Sequence, residues 1–316
     1  MELGISAGAG IEADLETRRA GAAQRAVTEH ILTVADQAGY GAALIGATAG
    51  AAVITWPQFA HMVRAAARGL SRRGLREADT AGILVHDAVS HVVAVHAVRA
   101  AGATAVPIRL SQSATDIAAQ LKQGRARLLI TSAALAELAV QAAERSWVRQ
   151  VFAFGEAEGT TPFGSLLHTA RHGQLQANGS TSHNGHGGGQ VAAQILGAAQ
   201  VVDLPWLGPD SLGPDPFGAD GLGPHPFGAD GLAADGVGAT LGLTHRDVVV
   251  AAPPCGDPDA YTSLLDLALA AGATIVAAPL PQVPAAVGAY KGTAAIVPHG
   301  TDVPGLPAER VFTVVA

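Results

Sequence analysis

TAGILVHDAVSHVVAVHAVRAAGATAVPI, residues 80–108, is the stretch that decides the fold class. It divides into an apolar run, Ala81–His86, a helical stretch, Val89–Ala101, and a second apolar run, Thr104–Ile108. Both runs are continuously apolar rather than alternating, the pattern of parallel strands covered on two faces. Either Asp87 or Ser90 can start the helix, because a short side-chain oxygen accepts from the free N–H groups of a first turn. Gly102 comes next, where a left-handed residue commonly closes a helix. The stretch predicts one βαβ unit.

The same grammar extends outward. Downstream, Ser113 and Asp116 have the spacing of a capping box and predict a helix over Ala114–Gln123, ended by Gly124. A strand is expected at Arg127–Thr131, a helix at Ala133–Arg145 and a strand at Gln150–Phe154. Upstream, Val53–Thr55 reads as a short strand, with Thr55 capping a helix over Gln58–Arg73 that stops at Gly74. Val27, Ile31, Val34 and Ala35 form one helical face within 23–38. Strand–helix alternation of this kind predicts an α/β fold, mostly parallel sheets with flanking helices and right-handed crossovers. Near the C-terminus, Thr244 and Asp247 again have capping-box spacing, so Thr244–Asp247 should open a helix. A helix over Ser263–Ala271 and strands at Thr274–Ala278, Ala294–Val297 and Val311–Val315 complete the expectation.

The chain divides into four segments: a flexible leader over 1–23, a first αβ subdomain over 24–167, an irregular linker over 168–236, and a second, incomplete αβ subdomain over 237–316. The linker is rich in Gly, Pro and His and carries a tandem repeat, LGPDPFGADG at 212–221 and LGPHPFGADG at 222–231. A ten-residue period is too short for a solenoid unit. Its prolines and glycines favour turns over regular structure.

Composition narrows the function. A formal charge of −7 gives no electrostatic reason to expect nucleic acid. No segment approaches the roughly 20 apolar residues that span a bilayer, and the N-terminus lacks the basic-then-apolar order of a signal peptide. A lone cysteine, Cys255, excludes an internal disulfide and fits a reducing compartment. A cytoplasmic protein is expected. His168 and His172 stand at i,i+4, with His183 and His186 nearby, yet no Cys or carboxylate completes a fixed set, so no metal site is assigned. His86, His91 and His96 are spaced by five and fan around a helix rather than converge. There is no G-x-S-x-G elbow, no base near Cys255 and no G-x-G-x-x-G joining a strand to a helix. Catalytic residues therefore remain unassigned.

Several stretches, in this order, resemble the adenylate-forming superfamily and, within it, the 4-coumarate/acyl-CoA ligases. ITWPQFAHMVRAAARGLSRRGLREADTAGILVHD at 54–87 is similar to the family's opening helix, glycine-leucine turn and first core strand. VHAVRAAGATAVPI, ending at Ile108, is similar to its Arg-Ala-Gly-Ala-x-x-x-Pro signature. TPFGSLL at 161–167 resembles the segment before the ATP loop, LTHRDVV at 243–249 the helix after that loop, and LLDLALAAGATIVAAPL at 264–280 the helix and strand beyond it. The resemblance implies a two-step reaction in which a carboxylate and ATP give an acyl-adenylate and a thiol such as coenzyme A then takes the acyl group. ATP, Mg and coenzyme A are the cofactors of an active member.

In the family, a Ser/Thr/Gly-rich loop ending in Pro-Lys-Gly cradles the phosphates with backbone N–H groups, hydroxyls and a lysine charge. Counting back from LTHRD places that loop on Gly231–Gly242, GLAADGVGATLG. Ala233, Ala234 and Asp235 replace the hydroxyls, the lysine position falls near Ala239, and Asp230 also lies there. Only Lys122 and Lys291 occur in the chain, and neither lies at a family lysine position. The aromatic-His pair after the loop falls on PPCGDPD at 253–259, and the family's later motifs and C-terminal domain lie beyond residue 316. The expectation is a degenerate homologue that does not adenylate alone and acts as a binding or scaffolding partner in acyl or aryl metabolism. The alternative is an active ligase completed by another chain. A surviving nucleotide or acyl site would be built from Gly236, Gly238, Thr240 and His245. An apolar sheet edge at Val311–Val315 would favour self-association or a protein partner.

Overall fold

The computed structural model describes residues 6–47, 52–167, 241–254 and 256–315, with side chains described from residue 21 onward. In chain order these residues form α1 (Ser6–Gln37), β1 (Ala42–Gly46), β2 (Val53–Thr55), α2 (Trp56–Arg72), β3 (Thr80–Leu84), α3 (Ala88–Ala100) and β4 (Thr104–Pro107). They continue through α4 (Ala114–Gln123), β5 (Ala126–Ser132), α5 (Ala136–Glu144), β6 (Gln150–Phe154) and β7 (Thr161–Pro162). After the linker come β8 (Val248–Ala251), α6 (Pro258–Ala270), β9 (Thr274–Ala277), α7 (Val283–Ala289), β10 (Ala294–Pro298) and β11 (Val311–Val314).

The βαβ unit forms as its sequence predicts. Asp87, not Ser90, caps α3, its carboxylate accepting from the Ser90 N–H at 2.8 Å. Gly102 takes a positive φ of 85° after it. Ser113 caps α4, accepting from the Asp116 N–H at 3.3 Å. Gln58 accepts from the Thr55 N–H at 2.8 Å at the start of α2.

Two sheets result. One has the order β4-β3-β5-β6-β7 and every pairing in it is parallel. The other has the order β11-β10-β8-β9-β1-β2, parallel except where β2 turns back against β1. Successive residues of each strand face opposite sides, which stacks the molecule in five layers. Val249 and Ala251 of β8 and Ala81 and Ile83 of β3 enter one core with residues of α1, α2, α3 and α6. Val250 of β8 and Val276 of β9 meet α7 on the outer side of their sheet. Leu84 and Leu129 meet α4 and α5 beyond the all-parallel sheet. Because α3 lies between two sheets, it is buried on every side, from Ala88 through Arg99. Among the described residues no helix is long and apolar enough to cross a membrane.

The structure departs from the sequence reading in several elements. The leader expected over 1–23 is helical from Ser6 onward, as the first part of α1. β1 has no counterpart in the sequence reading and, with β2, it joins the sheet of the C-terminal segment, so the sheets do not follow the expected 24–167 and 237–316 division. β7, β8 and α7 have no counterpart either. Most instructively, Thr244–Asp247 does not open a helix. Asp247 Oδ2 accepts from the Thr244 N–H at 2.7 Å and from its hydroxyl at 2.9 Å, so the reciprocal capping contact forms. It closes a turn that runs straight into β8, because the β-branched run Val248–Val250 favours a strand over the helix a cap would begin. The repeats at 212–231, Cys255 and His168–His186 lie outside the described residues.

Candidate functional site

In open parallel sheets ligands bind beyond the carboxyl ends of the strands, where the chain leaves a strand toward opposite sides of the sheet. Each sheet has such a point. In the all-parallel sheet it lies between β3 and β5, since β4 flanks β3 on one side and β5 leads to β6 on the other. His86 lies just past β3 and Ser132 ends β5, and the imidazole Nδ1 lies 2.6 Å from the Ser132 Oγ. Thr131 donates to the Leu84 carbonyl at 2.9 Å just beneath. Ser132 is 2% exposed, so the pair ties the two strand ends together rather than presenting a nucleophile.

In the other sheet the point flanks β8, with β9 on one side and β10 on the other. The chain leaves β8 as Ala252–Asp257. The Ala252 N–H donates to the Ile296 carbonyl at 2.9 Å, and the buried Tyr261 hydroxyl donates to the Ala252 carbonyl at 2.7 Å. Gly256 has a φ of 69°, and a Cβ there would stand 2.5 Å from the Val315 carbonyl oxygen, so only glycine fits. The Asp257 N–H donates to that same carbonyl at 2.8 Å, joining the β8 loop to the end of β11. His299, beyond β10, brings Nδ1 to 3.5 Å from the Thr313 hydroxyl.

A helix N-terminus at such a crevice is a natural anion site. Here it is already occupied by the chain's own charge. Asp257 Oδ1 accepts from the N–H groups of Asp259 at 2.8 Å and Ala260 at 3.0 Å, capping α6. Burial pushes the Asp259 carboxyl up, the Asp257 charge adds to the rise, and Arg99 opposes it. Two carboxylates at the start of α6 set a negative local field against a phosphate group.

Of the residues expected to line a nucleotide or acyl site, Gly236, Gly238 and Thr240 lie outside the described residues. His245 is half-buried in the turn before β8 and packs against Gly272, whose Cβ, if present, would meet the His245 Cβ at 3.2 Å. It thus stands at the amino end of β8, a strand length of roughly 13 Å from the carboxyl-end crevice. The turn is anchored there by Arg310, which donates to the Gly242 carbonyl at 3.3 Å and lies 3.5 Å from Asp247.

Sequence reading missed one constellation. His91 and His96 are buried in α3 and do diverge, as their spacing requires: His91 Nε2 meets the Thr262 hydroxyl of α6 at 2.8 Å, and His96 Nδ1 meets the Thr28 hydroxyl of α1 at 2.9 Å. Arg99, one turn on, donates to Asp266 of α6 at 2.6 Å, and His96 Nε2 stands 3.4 Å from the same carboxylate. Burial holds the His91 imidazole down to about 3, with Arg99 adding to the depression. Burial, then Arg99 and His91, hold His96 well below its ordinary range. Burial raises the Asp266 carboxyl against the lowering pull of Arg99. The available signal was charged and imidazole residues inside two otherwise apolar helices, AVSHVVAVHAVRA and PDAYTSLLDLALA. This polar seam ties α3 to α6 and to α1 within the central helical layer.

Residues 33–173 match the model of the AMP-binding enzyme family. No curated protein matches the chain in sequence. Among solved structures it is similar to a long-chain-fatty-acid-CoA ligase from Archaeoglobus fulgidus (TM-score 0.57, 16% identity, 86% of this chain and 51% of that one). It is also similar to a putative long-chain-fatty-acid CoA ligase from Rhodopseudomonas palustris (0.58, 16%, 88% and 63%) and to a benzoate CoA ligase from Burkholderia xenovorans (0.55, 18%, 91% and 54%). The chain therefore spans between 51% and 63% of the length of these ligases. The five-layer arrangement is the fold they share with it. Residues 33–173 thus carry the sequence pattern of the AMP-binding enzymes, and the likeness to the three ligases is one of fold.

Proposed function

We propose that the chain is a degenerate member of this family, unable to adenylate a carboxylate alone, that acts as a binding or scaffolding partner in cytoplasmic acyl or aryl metabolism. The observation that carries the reading is the pair Asp257 and Asp259 at the N-terminus of α6, where the crevice of the C-terminal sheet would meet an anionic ligand. Asp230 and Asp235, with no lysine, supply the same sign in the stretch aligned with the phosphate loop. Both features repel a triphosphate where the family's reaction needs preorganised positive charge and N–H donors.

The test is calorimetric titration of the purified chain with Mg-ATP, together with pyrophosphate exchange over a panel of aryl and fatty acids. Absence of both heat and exchange is expected. Micromolar binding with exchange would overturn the reading and favour an ATP- and coenzyme A-dependent ligase completed by another chain. For the partner role, light scattering at micromolar concentration should show self-association or, with a partner, a complex; a clean monomer that captures nothing would end that part of the proposal.

A further inference from the structure

Next to the polar seam, α1, α2 and the end of α3 enclose an open groove of about 590 Å³, lined in part by Thr28, whose hydroxyl meets His96. That volume lies within the roughly 300–1,000 Å³ of small-molecule sites, which join an apolar floor to a few convergent polar groups. Leu32 and Ala67 contribute to the floor, and Arg25, Arg64, Arg68 and Arg72 stand around it.

The arginines are not equivalent. Arg25 is engaged by Glu29 at 3.4 Å and Glu77 at 3.2 Å, and Arg64 by both oxygens of Asp36, at 2.8 and 2.6 Å. Arg72 reaches toward the Leu166 carbonyl at 3.4 Å. Arg68, one turn from each of Arg64 and Arg72 on the same face of α2, has no hydrogen-bond or ion-pair partner among the described residues. Its charge is nevertheless felt. The neighbouring His61 imidazole is held below its ordinary range by burial, then by Arg68, then by Arg64. The groove thus carries a local positive excess on a chain whose formal charge is −7.

We propose that this groove binds a small organic oxyanion, a phosphate monoester or a carboxylate with an apolar body, whose charged group sits against Arg68 and whose body lies over Leu32 and Ala67. A guanidinium presents paired N–H donors that match either oxyanion. The preformed pairs of Arg25 and Arg64 hold the flanking cations in place, which limits the ordering that binding would require. The site is independent of the crevice at β8: it lies on helices of the central layer, needs no magnesium, and would survive the failure or success of the Mg-ATP titration.

The experiment titrates the full chain, without divalent metal, with inorganic phosphate, phenyl phosphate and benzoate, read by calorimetry and by thermal shift. At an ionic strength of about 0.15 M, where surface charges beyond roughly 8 Å are screened, phenyl phosphate or benzoate should bind, and the tighter of the two names the oxyanion class. Arg68→Ala should weaken that binding by at least about fivefold, the order expected for one lost charge-assisted contact. Arg145→Ala, on α5's distal end, should leave it unchanged. Binding that Arg68→Ala leaves intact, equal loss in both variants, or no binding of any probe at tens of millimolar would each overturn the proposal.

Discussion

Two clusters of the same residue types lie within the helical layer of this molecule, and they obey opposite physics. In the seam between α3 and α6, Arg99 and Asp266 meet at 2.6 Å with side chains 6% and 12% exposed. In the groove between α1 and α2, Arg64 and Asp36 also meet at 2.6 Å, but with side chains 41% and 53% exposed. Geometry alone would rank the two pairs as equals. Water separates them. A charge withdrawn from solvent is tied to its partner because the alternative is an uncompensated buried ion. An exposed pair has an alternative in hydration, and salt screens what remains.

The largest expected effect comes from breaking the seam on one side. Arg99→Met leaves Asp266 buried with only His96 beside it, and Asp266→Leu leaves the guanidinium alone; each should lower the unfolding free energy by about 3–5 kcal/mol. Replacing both together restores an apolar contact of similar volume, and should recover most of that loss. Urea unfolding of the two single variants and the double measures the coupling. Additive losses would show that the pair is not insulated, and would erase the contrast with the groove.

The seam also gives the molecule an acid limit. His91 and His96 have folded-state values below the ordinary 6.5, so the unfolded chain binds protons that the folded one refuses. A depressed value means stability that is complete above 6.5 and falls as the pH drops toward the folded value, about 3 for His91. Each imidazole should contribute a slope of about 1.4 kcal/mol per pH unit between 6.5 and its folded value, and none below that value. Asp266 acts against them, since its raised value makes the folded state the better proton acceptor near its own range. Urea midpoints between pH 7.5 and 5 should fall steeply, and His91→Gln should flatten the fall. An unchanged slope in that variant would place the acid sensitivity elsewhere.

How much of this was legible depended on whether the partner was close in sequence. The all-parallel sheet arises from one continuous stretch, Thr80 to Pro162, and its strands, helices and caps at Asp87 and Ser113 are set by local pattern. The other sheet is assembled from both sides of the linker, with β1 of the N-terminal segment beside β9. No local period announces that Leu44 pairs with Ile275. The same holds for the sites. The fan of His91 and His96 could be read directly. That Arg99 meets Asp266 across 167 positions could not, and neither could the grouping of Arg25 with Arg64, Arg68 and Arg72. The one local signal that misled, Thr244 with Asp247, did make its hydrogen bonds. A cap pair fixes one turn, and the residues after Asp247 decide whether that turn becomes a helix.

The smallest effect belongs to the exposed pair, and its smallness is informative. The Arg64 hydrogen bond, then its charge, holds the Asp36 carboxyl below the ordinary 3.8 against a raising contribution from burial. Its contribution is therefore present above that value and lost as the pH falls through the lowered one. With both side chains more than a third exposed, Arg64→Ala should cost no more than about 1 kcal/mol at neutral pH, and less at high salt. The same urea titration used for Arg99 tests it. A loss comparable to the seam's would mean that the groove is as insulated as α3, and the distinction between the clusters would fail. A small, salt-sensitive loss would show that these arginines do little for stability, leaving their positive field available for a ligand.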